Sequence, residues 1–446
     1  MRNIDPSFVR TSIGFVALSA FLALAQPSQA AITFLGTGSI SGSATDKSGL
    51  TGTYTPGGTD YKAQLGAFGS GLAYTGFGNR YVAVNDRGFA DGTVQYEDRL
   101  QLIDIKVNAN TGTVTPTLVN TILLHDETGR QFTGFSGAID PTNGANSLRF
   151  DPEAVRVTRD GNIFVSDEYG PSIYEFDSTG KRIKTITLPA AFGIANPNAD
   201  GALELSGNNS GRQANRGMEG LAISPNGKKI YGIMQNALIQ DNALDGSLKR
   251  SGSNNRIFVY DIDTDTYKEF VYQLDDKDYG VNEIVAVNDH EFLVIERDGK
   301  AGASAGFKKI YKIDITGATD VSNVASLPKK SLAGTGIVPV TKSVFIDLLK
   351  PSYGLAGSSF PEKIEGLSFG PDLANGKHQL FVTNDNDLIP SQASNFYDFT
   401  FDNTDLNYQA QQVDVNFAVP EPGGIAALVM GAFGLGLLGL RRKRSA

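Results

Sequence analysis

The sequence predicts an all-β protein, a β-propeller with five visible repeats, on three observations. Short runs of Val, Ile, Tyr and Phe, cut by Gly, Asn and Asp, fill the chain from about residue 32 to about residue 417, the texture of strands and tight turns. A strand–turn–strand unit recurs with start-to-start steps of 83, 66, 64 and 82 residues, room for a four-stranded sheet and insertions in each unit. Polar side chains fall at the same phase of every unit, as they do where equivalent positions converge on an axis.

The first strands of the units are Ser70-Gly-Leu-Ala-Tyr, Glu153-Ala-Val-Arg-Val, Glu219-Gly-Leu-Ala-Ile, Glu283-Ile-Val-Ala-Val and Glu365-Gly-Leu-Ser-Phe. Bulky residues two apart with small ones between them suit an innermost strand crowded round an axis. The second strands start at Tyr81, Ile163, Ile230, Phe292 and Leu380, and aromatic third strands start at Ile173, Ile257, Ile310 and Phe396. A sixth unit has room between Asp91 and Asp151, so five or six blades are expected. Ile32-Thr-Phe-Leu-Gly is placed to pair beside Phe396–Phe401, joining the first and last sheets and covering an edge. Helix is predicted for at most a turn or two at Leu188–Ile194 and Val344–Lys350. A β-sandwich array is the alternative architecture, but it has no need of charge at one phase.

The ends read as addresses. Arg2 and Arg10 precede an apolar run from Ile13 to Ala25 that closes with Ser28-Gln29-Ala30, the pattern of a secretory signal peptide. At the other end Val419-Pro420-Glu421-Pro422 leads into an almost wholly apolar stretch from Gly423 to Leu440, stopped by Arg441-Arg442-Lys443-Arg444. That fits a short hydrophobic membrane helix with its basic end in the cytoplasm. The set resembles the PEP-CTERM sorting signal, which implies a bacterial envelope whose membrane protease removes the tail. The expected organisation is signal peptide 1–30, propeller 31–418 and sorting signal 419–446. Signal peptidase and a sorting protease follow as processing partners, with transient membrane contact. The destination is the cell envelope, outer surface or exterior.

Composition bounds the chemistry. The 446 residues carry no cysteine and three histidines, which removes thiol nucleophiles, disulfides and thiolate zinc sites. Net charge is −9, and removing the +1 of residues 1–30 and the +3 of residues 421–446 leaves −13 on the body. Such a body favours divalent cations and gives nucleic acid no basic face. A monomer is expected. No G-x-S-x-G or Walker loop is present, and Asn384-Asp-Asn-Asp387 lacks the Gly and later Glu of an EF-hand.

Two rings of polar residues carry the functional reading. One is Ser70, Glu153, Glu219, Glu283 and Glu365; the other is Asp86, Glu168, Gln235, Arg297 and Asp385, flanked by Asp167 and Glu296 among others. Carboxylates gathered on one axis persist if paired with Arg, bound to a cation or partly protonated. Oxygen-only ligands select Ca²⁺, with Mg²⁺ behind it. Glu153, Glu168, Glu219, Glu283 and Glu365 are the candidate catalytic carboxylates, Asp86, Asp167, Glu296 and Asp385 the candidate metal ligands, and Arg87, Arg216 and Arg297 the candidate phosphate clamps. Purely structural carboxylates, bonding a neighbouring blade or making turns, are the alternative for any one residue.

Several stretches together resemble the phytase-like family labelled "esterase-like activity of phytase". They are Asn85-Asp-Arg-Gly88, Asp151-Pro-Glu-Ala154, Ser166-Asp-Glu-Tyr-Gly-Pro171, Arg216-Gly-Met-Glu-Gly-Leu221, Val294-Ile-Glu-Arg-Asp298, Ile364-Glu-Gly-Leu367 and Asn384-Asp-Asn-Asp387. The resemblance implies a secreted propeller with phosphoester-hydrolase activity on a phosphorylated small molecule. The third unit departs by ending in Met234-Gln-Asn236, where the others carry charge. A non-catalytic envelope or matrix propeller that binds an ion, glycan or peptide is the second function class, with an extracellular matrix component as partner. A lactone or ester hydrolase using one axial calcium is the third.

Overall fold

The computed structural model describes residues 32–140, 146–415 and 417; the predicted signal peptide and sorting tail lie outside the described residues. After β1 (Thr33–Ile40) the chain builds five four-stranded antiparallel sheets. Blade 1 is β2 (Gly71–Tyr74), β3 (Arg80–Val84), β4 (Arg99–Asn108) and β5 (Thr113–Leu123). Blade 2 is β6 (Pro152–Val157), β7 (Ile163–Asp167), β8 (Ser172–Phe176) and β9 (Arg182–Ile186). Blade 3 is β10 (Met218–Ile223), β11 (Lys229–Met234), β12 (Asn254–Asp261) and β13 (Thr266–Gln273). Blade 4 is β14 (Gly280–Ala286), β15 (Glu291–Arg297), β16 (Lys308–Asp314) and β17 (Thr341–Asp347). Blade 5 is β18 (Ile364–Phe369), β19 (His378–Asn384), β20 (Ser394–Phe401) and, as its outermost strand, β1.

The closure predicted from sequence is present: β1 runs antiparallel to β20, with Thr33 opposite Thr400 and Ile40 opposite Ser394. The last sheet is thereby finished by the start of the chain, and its edge is covered. Each blade buries both faces against its neighbours. Val82 and Val84 of blade 1 meet Val155 and Val165 of blade 2, and Phe164 and Ile173 of blade 2 meet Leu221 and Phe258 of blade 3. Tyr231 packs on Phe292 between blades 3 and 4, with ring centroids 4.5 Å apart. Further clusters join blades 4 and 5 and blades 5 and 1. The inner strands β2, β6, β10, β14 and β18 therefore touch in a closed ring.

Three local expectations change. The segment between Asp91 and Asp151 is no sixth blade, because its strands β4 and β5 complete blade 1. Val344–Lys350 is not helical: β17 runs through Asp347 and pairs with β16. Leu188–Ile194 is turn and coil. The short helix α1 (Gly201–Ser206) was not expected, and Asp200 caps it by accepting from the backbone N–H groups of Ala202 and Leu203 at 2.8 and 3.1 Å.

A C-terminal strap crosses one mouth of the ring. The Gln409 N–H donates to Val287 O (2.8 Å), Gln412 N–H to Pro225 O (2.8 Å) and Asp414 N–H to Arg159 O (2.9 Å), reaching blades 4, 3 and 2. Tyr408 stacks on Phe369 of blade 5 at 4.3 Å, and Phe417 joins the core between blades 1 and 2. The strap roofs a mostly apolar cavity of about 250 Å³. Among the described residues, no helix is long and apolar enough to cross a membrane.

Candidate functional site

The opposite mouth is polar. Four of the five inner strands break register where they enter it, at Pro152/Val155, Met218/Gly220, Val281/Glu283 and Ile364/Leu367. A bulge re-aims the extra residue, and here those residues are Glu153, Glu219, Asn282 and Glu365, all lining one cavity of about 200 Å³. The bulge also corrects the predicted ring. In blade 4 the equivalent residue is Asn282; Glu283 lies one residue further along and does not line the cavity.

Three carboxylates converge there: Glu153, Glu168 and Glu219 each offer an oxygen within 4.8 Å of the other two. All three are buried. Glu219 Oε1 accepts from Gln235 Nε2 (2.8 Å) and Asn282 Nδ2 (2.7 Å). Among the described residues no donor group faces Glu219 Oε2, Glu168 Oε1 or Asn282 Oδ1, and Glu168 and Glu219 are left facing each other. Among the described residues Glu153 forms no ion pair. Burial, then the facing carboxylates, push the Glu153 and Glu219 carboxyls well above the usual range. Gly217 lets the strands approach, since a Cβ on it would sit 2.0 Å from Glu168 O.

Around the triad the cations are mostly spoken for. Arg87 Nη1 binds Asp151 Oδ2 at 2.7 Å and lies 3.5 Å from Glu168. Arg297 Nη2 donates to Glu365 Oε1 at 2.7 Å, between blades 4 and 5. Lys363 reaches Asp86 (3.1 Å), Asp385 (2.9 Å) and Asp387 (2.5 Å), so an ammonium fills the centre of that acidic cluster. Burial alone would raise Asp86, but Lys363 and Arg87 hold it below the usual carboxylate range. Asp385 is pushed up to about 7 by burial, which Lys363 only partly offsets. Arg216 differs: it donates to the neutral Gln235 and, at 3.1 Å, to Asn236 Oδ1, and it has no ion pair among the described residues. Burial, then Arg250, lower its pKa.

The predicted candidates therefore divide. Asp86, Arg87, Glu153, Glu168, Arg216, Glu219, Arg297 and Glu365 line one cavity, with Asp385 joined to it through Lys363. Asp167, Glu283 and Glu296 stand apart with local partners. Asp167 accepts from the Asp151, Tyr169 and Gly170 N–H groups at 3.1, 3.0 and 2.9 Å, a turn-holding role. Glu283 pairs with Arg156 at 2.8 Å, whose other bonds go to Val155 O, Leu72 O and Ile284 O, joining three inner strands. Glu296 accepts from Tyr272 Oη (2.6 Å), Lys342 Nζ (2.5 Å) and the Asp275 N–H (2.8 Å). Lys363, Arg250, Asn282 and Asp151 were missed as site residues. Lys363 and Asp151 each stand two places before a ring glutamate, a phase the sequence displays.

Residues 63–388 match the phytase-like family described as esterase-like activity of phytase. The chain belongs to that family. This phytase-like protein is 27% identical over 395 residues to a secreted protein of Arthroderma benhamiae, covering 71% of this chain and 73% of the relative. Among solved structures it is similar to a calcium-binding regucalcin from Agrobacterium tumefaciens, at 10% identity and a TM-score of 0.33 over 86% of this chain and 97% of that one. It is also similar to a gluconolactonase from Xanthomonas campestris, at 11% identity and a TM-score of 0.33 over 74% of this chain and 85% of that one. Likeness at this level assigns no residue of the phytase-like site a role.

Proposed function

We propose that this phytase-like propeller is an exported phosphoester hydrolase that works with a divalent cation, Ca²⁺ ahead of Mg²⁺. The observation that carries the reading is the set of buried oxygens on Glu168, Glu219 and Asn282 that no donor group faces among the described residues, beside Glu153, which forms no ion pair among them. Burying such acceptors without partners is costly, and an oxygen-only set suits a hard cation. Glu153, Glu168, Glu219 and Asn282 are the residues that would hold it. When bound, it would offset two of the triad's three negative charges and supply a Lewis acid for a phosphoryl oxygen.

The chain's own residues supply the rest. Arg216, with its charge uncommitted, binds and orients the anionic phosphoryl group. Gln235 holds Arg216 and Glu219 in place together. Glu153, which has no ion-pair partner among the described residues, takes the proton of the attacking water. Glu365 and Arg297 form the far wall as a closed pair.

Export is supported by the signal-peptide pattern of residues 1–30 and by the relative described as secreted. The tail pattern supports delivery to a bacterial envelope, with signal peptidase and a sorting protease as processing partners and only transient membrane contact. The test is ester hydrolysis by the purified chain with Ca²⁺ and with chelator. Ca²⁺-dependent turnover, lost in E153Q and E219Q, is expected; no turnover on any phosphate ester across metals and pH removes the proposal.

A further inference from the structure

We infer that this site takes a singly charged phosphodiester rather than a polyphosphorylated monoester. The inference rests on the hydrolase reading above and specifies its substrate. Eight carboxylates and five cationic side chains line the cavity, so its formal charge is negative before any ligand enters. Four of the five cations already face carboxylates: Arg87 with Asp151, Arg297 with Glu365, Lys363 with its three aspartates, and Arg250 with Asp278 at 3.9 Å. Among the described residues, Arg216 alone of the five has only neutral hydrogen-bond partners, Gln235 and Asn236.

One uncommitted cation matches one negative charge. A substrate bearing several phosphates would meet the surplus carboxylates with no free guanidinium to receive it, and like charges brought together at this depth are strongly disfavoured. Protonation of the crowded carboxyls, or one divalent cation on the triad, brings the cavity toward neutrality and not to the positive potential a polyanion requires. Size points the same way. At about 200 Å³ the cavity falls below the roughly 300–1,000 Å³ of sites that enclose drug-sized ligands. It holds a phosphoryl group and the root of one substituent, leaving the rest of the ester outside.

The step balances as hydrolysis. The water oxygen bonds to phosphorus, one P–O ester bond breaks, the water proton passes to Glu153, and the leaving oxygen departs as phenolate, or as alcohol by taking that proton from Glu153, with a phosphomonoester as co-product. That product carries a second negative charge, which a single guanidinium does not match, so its release is favoured.

The experiment compares bis(p-nitrophenyl) phosphate, p-nitrophenyl phosphate, phytate and neutral p-nitrophenyl acetate as substrates of the purified chain in Ca²⁺. The expected kcat/KM for the diester exceeds that for p-nitrophenyl phosphate and phytate by at least about tenfold, a single charge-contact's worth. R216Q is expected to raise KM for the diester with little change for the acetate, and R216K to recover part of the loss. Phytate or the monoester turned over as well as the diester overturns the inference while leaving the hydrolase reading intact. No turnover of any of the four removes both.

Discussion

Arg216 and Glu219 flank the entry of one inner strand without pairing, because Gln235 stands between them. Its Nε2 donates to Glu219 Oε1 at 2.8 Å while its carbonyl oxygen accepts from Arg216. The neutral residue at a position where other repeats carry charge thus keeps a cation and a carboxylate free for ligands. Q235E should consume that freedom, by pairing with Arg216 and repelling Glu219. The expected result is a KM for an anionic ester raised about tenfold, with the fold preserved, since the charge lost from Arg216 is worth about 1.4 kcal/mol in binding. Steady-state kinetics with a thermal melt checks it; an unchanged KM would show that Arg216 does not bind substrate.

Glu219 faces Glu153 and Glu168 with one oxygen unused. E219Q should therefore move two quantities in opposite directions. Without metal, the variant melts at a higher temperature than the parent, because one of three crowded carboxylates is gone. Calorimetric Ca²⁺ affinity falls at least about tenfold, the loss produced even by removing an outer-shell partner. A melt lowered in chelator would mean that Glu219 stabilises the fold through its bonds to Gln235 and Asn282 instead.

The propeller was legible because its units repeat at strand period and because one short β run, beginning Ile32-Thr-Phe-Leu-Gly, stands ahead of the first unit and completes the last sheet beside β20. The blade count was ambiguous because β4 and β5 lack the signature of the other hairpins, and loops of uneven length hide the repeat. Three of the ring's four glutamates, Glu153, Glu219 and Glu365, line the cavity as the sequence predicts. Glu283 failed by one residue: Val281-Asn282-Glu283 contains a bulge, and a sequence aligned on Glu cannot see that the extra residue is the Asn. Asp167 and Glu296 failed for another reason. A carboxylate at a strand end reads identically whether its oxygens face a cavity or are taken by backbone N–H groups, Tyr272 and Lys342.

Lys363 is the residue whose loss should be felt most. It pairs with Asp86, Asp385 and Asp387 at once, and Asp385 is fully buried. K363M leaves that cluster uncompensated, at a cost of about 3–5 kcal/mol for a buried pair stripped of one partner. Denaturant unfolding in chelator measures it, and Ca²⁺ should restore more stability to K363M than to the parent by entering the vacated cluster. A midpoint unchanged in chelator would show that the three aspartates take up protons at no net cost.

The strap predicts a boundary. A chain of residues 31–417 should unfold at the same denaturant concentration as one carrying the tail, whereas residues 31–405 lose Leu406, Tyr408 and Phe417 from the mouth. Deleting these contacts, at about 1.5–3 kcal/mol per fully buried large apolar side chain, should lower stability by about 3 kcal/mol or more. Equal midpoints for the two truncations would mean that the strap lies on the mouth without closing it.

Stability should fall as pH rises through neutrality, and the sign follows from the buried carboxyls. Burial pushes Glu283 up to about 7 against the pull of Arg156, and Asp398 and Asp385 up to about 7 against single opposing partners Gln379 and Lys363. In the unfolded chain such groups titrate near pH ~4. Between the two values the folded state holds more protons, so the stabilisation is complete below about pH 4 and is lost progressively as pH rises toward and past 7. In chelator the melting temperature should therefore drop from pH 5 to pH 8. D398N should flatten part of that slope, because Asp398 Oδ1 is buried without a hydrogen-bond partner and the amide has no proton to lose. Ca²⁺ should act in the opposite sense, raising the melting temperature more at pH 8 than at pH 5, since the triad must shed its protons to bind a cation. A melting temperature that climbs with pH in chelator would place the protons elsewhere.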